Sequence, residues 1–228
     1  MLLNKIRVVG KVLPLEYKEK SLTKELLIYF SLLVTNPNGV HSLLRCHTSG
    51  KAASALKEQV VADEIIEVKG YLRNEKKGRQ IIIQVVEFSK LEDIPDYAVN
   101  QVRLLGRVIS DYEMAPKENL FSFKLEVPTK ENPLNTFFCR AHDELATEMA
   151  KQVRKNDLIL LEGFLQTKKL TSPTELYPEK ITRISSLICQ SFVLLDTVTV
   201  NNFYPWNNLV LISKETKKID FTKPKETD

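Results

Sequence analysis

The sequence predicts an all-β chain with short helices, built as two tandem five-stranded barrels. A duplicated strand, a constant offset between two halves and a repeated order of elements carry that expectation. The strand is Asn4-Lys5-Ile6-Arg7-Val8-Val9-Gly10-Lys11-Val12, and it returns ninety-six positions later as Asn100-Gln101-Val102-Arg103-Leu104-Leu105-Gly106-Arg107-Val108. Both copies alternate polar with aliphatic residues, as a half-buried strand does. Each sets a glycine where a barrel wall must bend or another backbone comes close.

From Phe30 onward the halves align at an offset of 93: Phe30, Leu32 and Val34 with Phe123, Leu125 and Val127, Cys46 with Cys139, and Leu56 with Met149. Ile66, Val68, Gly70 and Leu72 align in the same way with Ile159, Leu161, Gly163 and Leu165. The second copy is therefore three residues shorter between its first two strands, a change that belongs in a surface loop. The repeat divides the 228 residues into a first domain at 1–93, a linker at 94–99 and a second domain at 100–196. Residues 197–228 form an aromatic segment followed by a polar tail.

In the first copy, Ile6–Val12 reads as a strand, 14–24 as a charged loop, and Leu26–Val34 as a second strand. Asn36-Pro37-Asn38-Gly39 supplies turn chemistry. A third strand at His41–His47 leads into a short alanine-rich helix at Ala52–Val60, then strands at Ile65–Leu72 and Gln80–Phe88 around a charged hairpin. The second copy repeats the order: strands at Val102–Ile109, Leu120–Val127 and Thr136–Ala141, a helix near Glu144–Val153, and a strand at Leu158–Leu165. A longer loop at 166–180 and a last strand at Ile181–Leu194 complete it. Another short strand is possible at Leu209–Ser213. Five strands with a helix between the third and fourth is the order of the OB-fold, a partly open Greek-key barrel.

Composition excludes several classes. With 43% hydrophobic and 27% charged residues the chain is an ordinary soluble one, and no apolar run reaches the ~18 residues of a membrane span. Neither a signal peptide nor a transit segment is evident, so a reducing location, cytoplasmic or in an organellar matrix, is expected rather than secretion. Cys46, Cys139 and Cys189 form no CxxC pair and read as buried structural thiols. The net charge of +4 is modest and sits mostly in the first copy, so any nucleic-acid binding must come from local patches.

With the strands placed, the pattern resembles the bacterial and organellar single-stranded-DNA-binding protein family and its PriB-like relatives, duplicated in tandem. The residues that carry the resemblance are Asn4 with Val8-Val9-Gly10-Lys11-Val12, Phe30-Ser31-Leu32, Cys46-His47-Thr48-Ser49-Gly50-Lys51-Ala52-Ala53, and Val68-Lys69-Gly70-Tyr71-Leu72. The second copy supplies Val102 to Val108, Phe123-Lys124-Leu125, Leu145-Ala146, Asn156-Asp157, and Leu161-Glu162-Gly163-Phe164-Leu165. The resemblance spans nearly all of residues 3–195. It implies binding of single strands by basic grooves and aromatic platforms, replication or other protein partners, and a homodimer that assembles four barrels. Two family aromatics, a strand-three Trp and a Phe before the Gly-Lys that opens the helix, are replaced by Leu43 and Ser49 and by Thr136 and His142. The acidic C-terminal tip of the family is replaced by Lys223-Pro224-Lys225-Glu226-Thr227-Asp228.

Alternation assigns the candidate contacts. Lys5, Arg7 and Lys11 lie outside on the first strand, as do Arg103 and Arg107 on its repeat. Lys69, Tyr71 and Arg73 point outward on the fourth strand of the first copy, and Phe164 on that of the second. An outward aromatic flanked by cations suits a base on the ring and phosphates on Lys or Arg; packing against a neighbouring barrel is the competing role for Tyr71 and Phe164. Arg45, Lys51, the hairpin residues Lys76, Lys77 and Arg79, and Lys168 and Lys169 would line the same groove. Tyr29 also points outward but meets Ser122 in the repeat, which lowers its weight. Phe203-Tyr204-Pro205-Trp206 holds the only Trp and is expected to fold back on the second barrel, with docking on a partner as the alternative.

Catalytic and cofactor readings find no support. Thr48-Ser49-Gly50-Lys51-Ala52 has Arg45 where a phosphate loop needs its first glycine. His142-Asp143 has no further His in its copy. His41 and His47 share a strand face but lack further ligands at zinc spacing. The expectation is a non-enzyme without cofactor that binds single-stranded DNA in replication, recombination or repair. The alternatives are a structural adaptor in a larger assembly and an RNA-binding module, since a stacking platform accepts either nucleic acid.

Overall fold

The computed structural model describes residues 3–19, 25–74, 80–95, 97, 99–110, 113–115, 119–128, 135–171, 181–199 and 209–213. In the first repeat, β1 (Asn4–Val12), β2 (Glu16–Glu19), β3 (Leu26–Thr35) and β4 (His41–Ser49) precede α1 (Gly50–Gln59), β5 (Ile65–Asn74) and β6 (Ile81–Leu91). The second repeat runs β7 (Asn100–Val108), β8 (Glu113–Ala115), β9 (Leu120–Val127), β10 (Asn135–His142), α2 (Asp143–Gln152), β11 (Leu158–Thr171) and β12 (Ile181–Thr199). The last strand, β13 (Leu209–Ser213), pairs with β12.

Each repeat closes a barrel. The order β3-β4-β6-β5-β1 returns to β3 through the β1–β3 pairing, and β7-β11-β12-β10-β9 closes through β7–β9. Every contact is antiparallel except β4–β6 and β10–β12, the parallel pairs of the OB-fold. Inward residues follow the two-residue period: Ile28, Phe30, Leu32 and Val34 on β3, and Phe121, Phe123, Leu125 and Val127 on β9, all in the core. Ala53 and Leu56 of α1, and Leu145, Ala146 and Met149 of α2, turn inward as well.

Two barrel walls depend on glycine. A Cβ on Gly70 would lie 2.0 Å from the Gln84 carbonyl oxygen, and one on Gly163 would lie 2.0 Å from that of Ile188. Both sit at a β-bulge, where the partner strand inserts Val86 in the first barrel and Gln190 in the second.

The barrels are joined edge to edge. Antiparallel pairing of β1 with β7 (Lys5 opposite Arg103, Ile6 opposite Val102) makes one continuous sheet from both. The far ends of β5 and β11 then reach across to the opposite barrel in a pseudo-symmetric way. Thr167 accepts from the Leu43 N–H at 3.0 Å and gives its own N–H to Ser42 Oγ at 3.1 Å. On the other side the Asn74 N–H meets Asn135 Oδ1 at 2.8 Å, and the Asn74 side-chain amide donates to the Thr136 carbonyl.

Three segments differ from the sequence expectation. Residues 16–19 form a strand rather than loop, because β3 would otherwise leave an edge of unpaired peptide groups at Leu26–Tyr29. Glu113–Ala115 caps β9 in the same manner. The expected loop at 166–180 begins later, since β11 continues to Thr171 in a hairpin ladder with β12.

Candidate nucleic-acid interface

The outer face of the first barrel carries a single cross-strand row. Tyr29 on β3 stands opposite His47 on β4, His47 opposite Gln84 on β6, and Gln84 opposite Tyr71 on β5; His47 and Gln84 are buried, and the two tyrosines at the ends are partly exposed. The Tyr29 and His47 rings lie 4.6 Å apart at a tilt of 39°. His47 Nδ1 is 2.7 Å from the Gln84 side chain and 2.9 Å from Arg73 Nη2. The Gln84 atom is Oε1, which only accepts, whereas the guanidinium only donates, so the two contacts make opposite demands on the one nitrogen. Lys18 sits 4.9 Å over the Tyr29 ring, and Arg45 donates to Gln80 beside the row.

At Tyr71 the row opens into a cleft of about 540 Å³ on the sheet shared by the two barrels. Lys5, Arg7, Lys69, Tyr71 and Arg103 all line it, so β1, β5 and β7 bring five of the expected contact residues together from both repeats. Carboxylates offset part of the charge: Arg7 pairs with Glu67 at 2.6 Å, Lys69 with Glu67 at 3.7 Å, and Arg103 with Glu162 at 2.9 Å. Glu87 also lines the cleft, and the bulged Val86 gives it an apolar wall. The cations are about half exposed or more while Glu67 is largely buried; the Arg103–Glu162 pair is exposed on both sides, where an ion pair is worth at most about 1 kcal/mol and a phosphate can compete for the cation.

The remaining candidates lie elsewhere. Lys11 is held by Asp63 at 2.7 Å, and Arg107 donates to the Asn156 carbonyl at 2.8 Å. Lys51 is exposed in the first turn of α1, away from the cleft, and Lys168 is exposed near the β11 tip that docks on the first barrel. Lys76, Lys77 and Arg79 fall outside the described residues, as does the side chain of Lys169 and the segment 203–206.

Phe164 needs a correction. It is only 4% exposed, and residues 163–166 are all buried, so this part of β11 is covered on both faces. Its neighbour across the ladder is Ile188, also buried, where the first barrel has Gln84 beside Tyr71. Two adjacent apolar side chains gain more from being covered than from facing water, and Phe164 packs rather than presents a platform.

Sequence reasoning also missed residues. Gln84 looked like one polar residue in an apolar strand, and its place between His47 and Tyr71 is set by parallel pairing that no local pattern reveals. Phe138 and Arg140, at alternate positions of β10, were readable as outward by period two, with Phe137, Cys139 and Ala141 buried between and beside them. Among the described residues no group of three His, Cys, Asp or Glu could hold a metal, and no helix is long and apolar enough to cross a membrane.

Residues 99–187 match the family model described as Single-strand binding protein family. The match lies within the second repeat. Among solved structures the chain is similar to the wild-type single-stranded DNA binding protein from Thermus aquaticus, with 19% identity and a TM-score of 0.65, covering 88% of this chain and 97% of that one. A deletion mutant of the same Thermus aquaticus protein gives 19% identity and a TM-score of 0.64, covering 90% of this chain and 98% of the other. At that identity the likeness establishes the fold, here extended over both barrels. No curated protein gives a significant sequence match. The order of strands in the second repeat is the order of the first repeat too, strand for strand.

Proposed function

We propose that the chain binds single-stranded DNA, without catalysis and with little sequence preference, as a component of replication, recombination or repair. The observation that carries this reading is the row Tyr29–His47–Gln84–Tyr71 leading into the cleft lined by Lys5, Arg7, Lys69 and Arg103. The partly exposed rings at the two ends of the row, Tyr29 and Tyr71, would accept base faces whatever their identity, and the flanking cations would track the phosphates. The match of the second repeat to the single-strand binding protein family supports the same ligand. The cleft surface crosses from one barrel to the other, so a strand on it engages both repeats. Pairing of two chains would bring four barrels to one strand.

The test is titration of fluorescent dT30 at two salt concentrations against the wild type and Tyr71→Ala. Binding that weakens with salt, and that loses about 1–3 kcal/mol without the ring, is expected. Absence of binding at low salt would overturn the reading and move the protein to the adaptor class. Tighter binding of rU30 than of dT30 would assign RNA instead.

A further inference from the structure

We infer that the second barrel holds a separate base-stacking site for single-stranded nucleic acid, formed by Phe138 between Arg140 and Lys124 and out of register with the row of the first barrel. The inference rests on the proposed strand-binding function and locates a second contact for it.

The two barrels distribute their outward side chains differently at equivalent strand positions. In the first, the pair opposite one another on β3 and β4 is Ser31 and Arg45; in the second, the equivalent pair is Lys124 and Phe138. One step along, Tyr29 and His47 are replaced by Ser122 and Arg140. The aromatic row of the first barrel thus has no aromatic counterpart on β9 and β10. Its extension at Phe164 and Ile188 is buried. In place of it, the second barrel offers a ring one ladder step away, at Phe138.

That ring is set up for a base and its phosphates. Phe138 is partly exposed, and the Arg140 guanidinium carbon lies 5.0 Å from its centroid, which fixes the cation over the aromatic surface. Lys124, directly across the β9–β10 ladder, is exposed. Neither Lys124 nor Arg140 forms an ion pair among the described residues, in contrast to the carboxylate-offset cations of the cleft. Arg140 Nε is buried with no hydrogen-bond partner among the described residues, as Arg73 Nε is in the first barrel, but Arg73 Nη2 meets His47 Nδ1 whereas no such contact holds the Arg140 guanidinium among the described residues. The carboxylate nearest in register is Glu126, which stands opposite Thr136 on one side and Arg107 on the other. Glu113 stands one strand beyond, opposite Ser122, and the two cations Arg140 and Lys124 adjoin the Phe138 π face directly.

The experiment uses the full chain. Phe138→Trp in a Trp206→Phe background leaves one Trp, placed at the site, and dT30 should quench its fluorescence at the concentration where the labelled strand binds. Phe138→Ala should weaken dT30 binding at least about fivefold while leaving a short strand such as dT8, which reaches only one site, within about twofold. Unquenched Trp together with unchanged dT30 affinity in Phe138→Ala, in a wild type that binds dT30, overturns the second site alone. A wild type that fails to bind dT30 overturns the strand-binding function itself and the second site with it.

Discussion

Asn100 holds both polar groups of the Leu165 peptide unit. Its side-chain amide donates to the Leu165 carbonyl at 2.8 Å and accepts the Leu165 N–H at 3.2 Å. The β7–β11 ladder ends with Val102 opposite Gly163, and Asn100 and Leu165 stand two positions further along the same register. Beyond the bulge the two backbones part, and the asparagine side chain substitutes for the missing peptide. Asn4 does the same for Leu72 at the equivalent place in the first barrel, at 2.8 and 2.9 Å. Asn100 adds a bond to Asn36, Asn36 donates to Ser42 Oγ, and the same hydroxyl accepts from Thr167, so this relay ties the two barrels together.

Replacing Asn100 with Ala leaves two buried backbone groups of Leu165 and the Asn36 side-chain oxygen without the bonds they now make. A loss of roughly 3 kcal/mol in urea unfolding is expected, since each orphaned group costs about 1–3 kcal/mol. Asn4→Ala, at a half-buried site without the third bond, should cost less. Equal effects for the two, or losses below 1 kcal/mol at Asn100, would show that water replaces the clasp.

Gly163→Ala and Gly39→Ala separate two reasons for glycine. At Gly163 the new methyl meets the Ile188 carbonyl at 2.0 Å, a backbone atom that cannot swing away, and a cost of 2 kcal/mol or more, on the order of severe overpacking, is expected. Gly39 has φ +76° and open space around it, so only the left-handed conformation is penalised, by about 1 kcal/mol. Thermal unfolding of both variants checks the order.

Glu64 contributes a pH-dependent term. Its carboxylate accepts a hydrogen bond from Lys90 and another from the Val61 N–H, which hold its pKa below the ordinary glutamate value. The contribution is therefore present above that ordinary value and is lost as pH falls through the lower, folded one. Glu64→Gln should lower the urea midpoint slightly at neutral pH, with the two curves converging in acid. A gap that persists unchanged at pH 2 would mean that packing, and not charge, is responsible.

The thiols should be silent in the folded protein. Burial pushes the Cys46 thiol far up, and burial together with the neighbouring Cys189 does the same to Cys139. Thiolate is the reactive form, so a disulfide reagent at pH 8 should label these two only as fast as the chain unfolds. Labelling faster than unfolding, measured alongside by fluorescence, would contradict that assignment.

Duplication, strand order, core faces and helix positions were legible in the chain because each depends on local period. Ile28 to Val34 and Phe121 to Val127 declare their inward face with every second residue. Part of the interface was legible for the same reason: Lys5, Arg7, Lys69, Tyr71 and Arg103 were picked out strand by strand as outward. Their convergence on one cleft was decided by the antiparallel joining of β1 to β7, a contact between residues some hundred positions apart that alternation does not encode. Phe164 shows the limit. Period two gives the side of a strand but not whether that side is covered, and Phe164 is buried on a strand whose far end, at Thr167, reaches the first barrel. The same holds for His47 and Gln84, two isolated polar residues in sequence that parallel pairing of β4 with β6 turns into the middle of a continuous row.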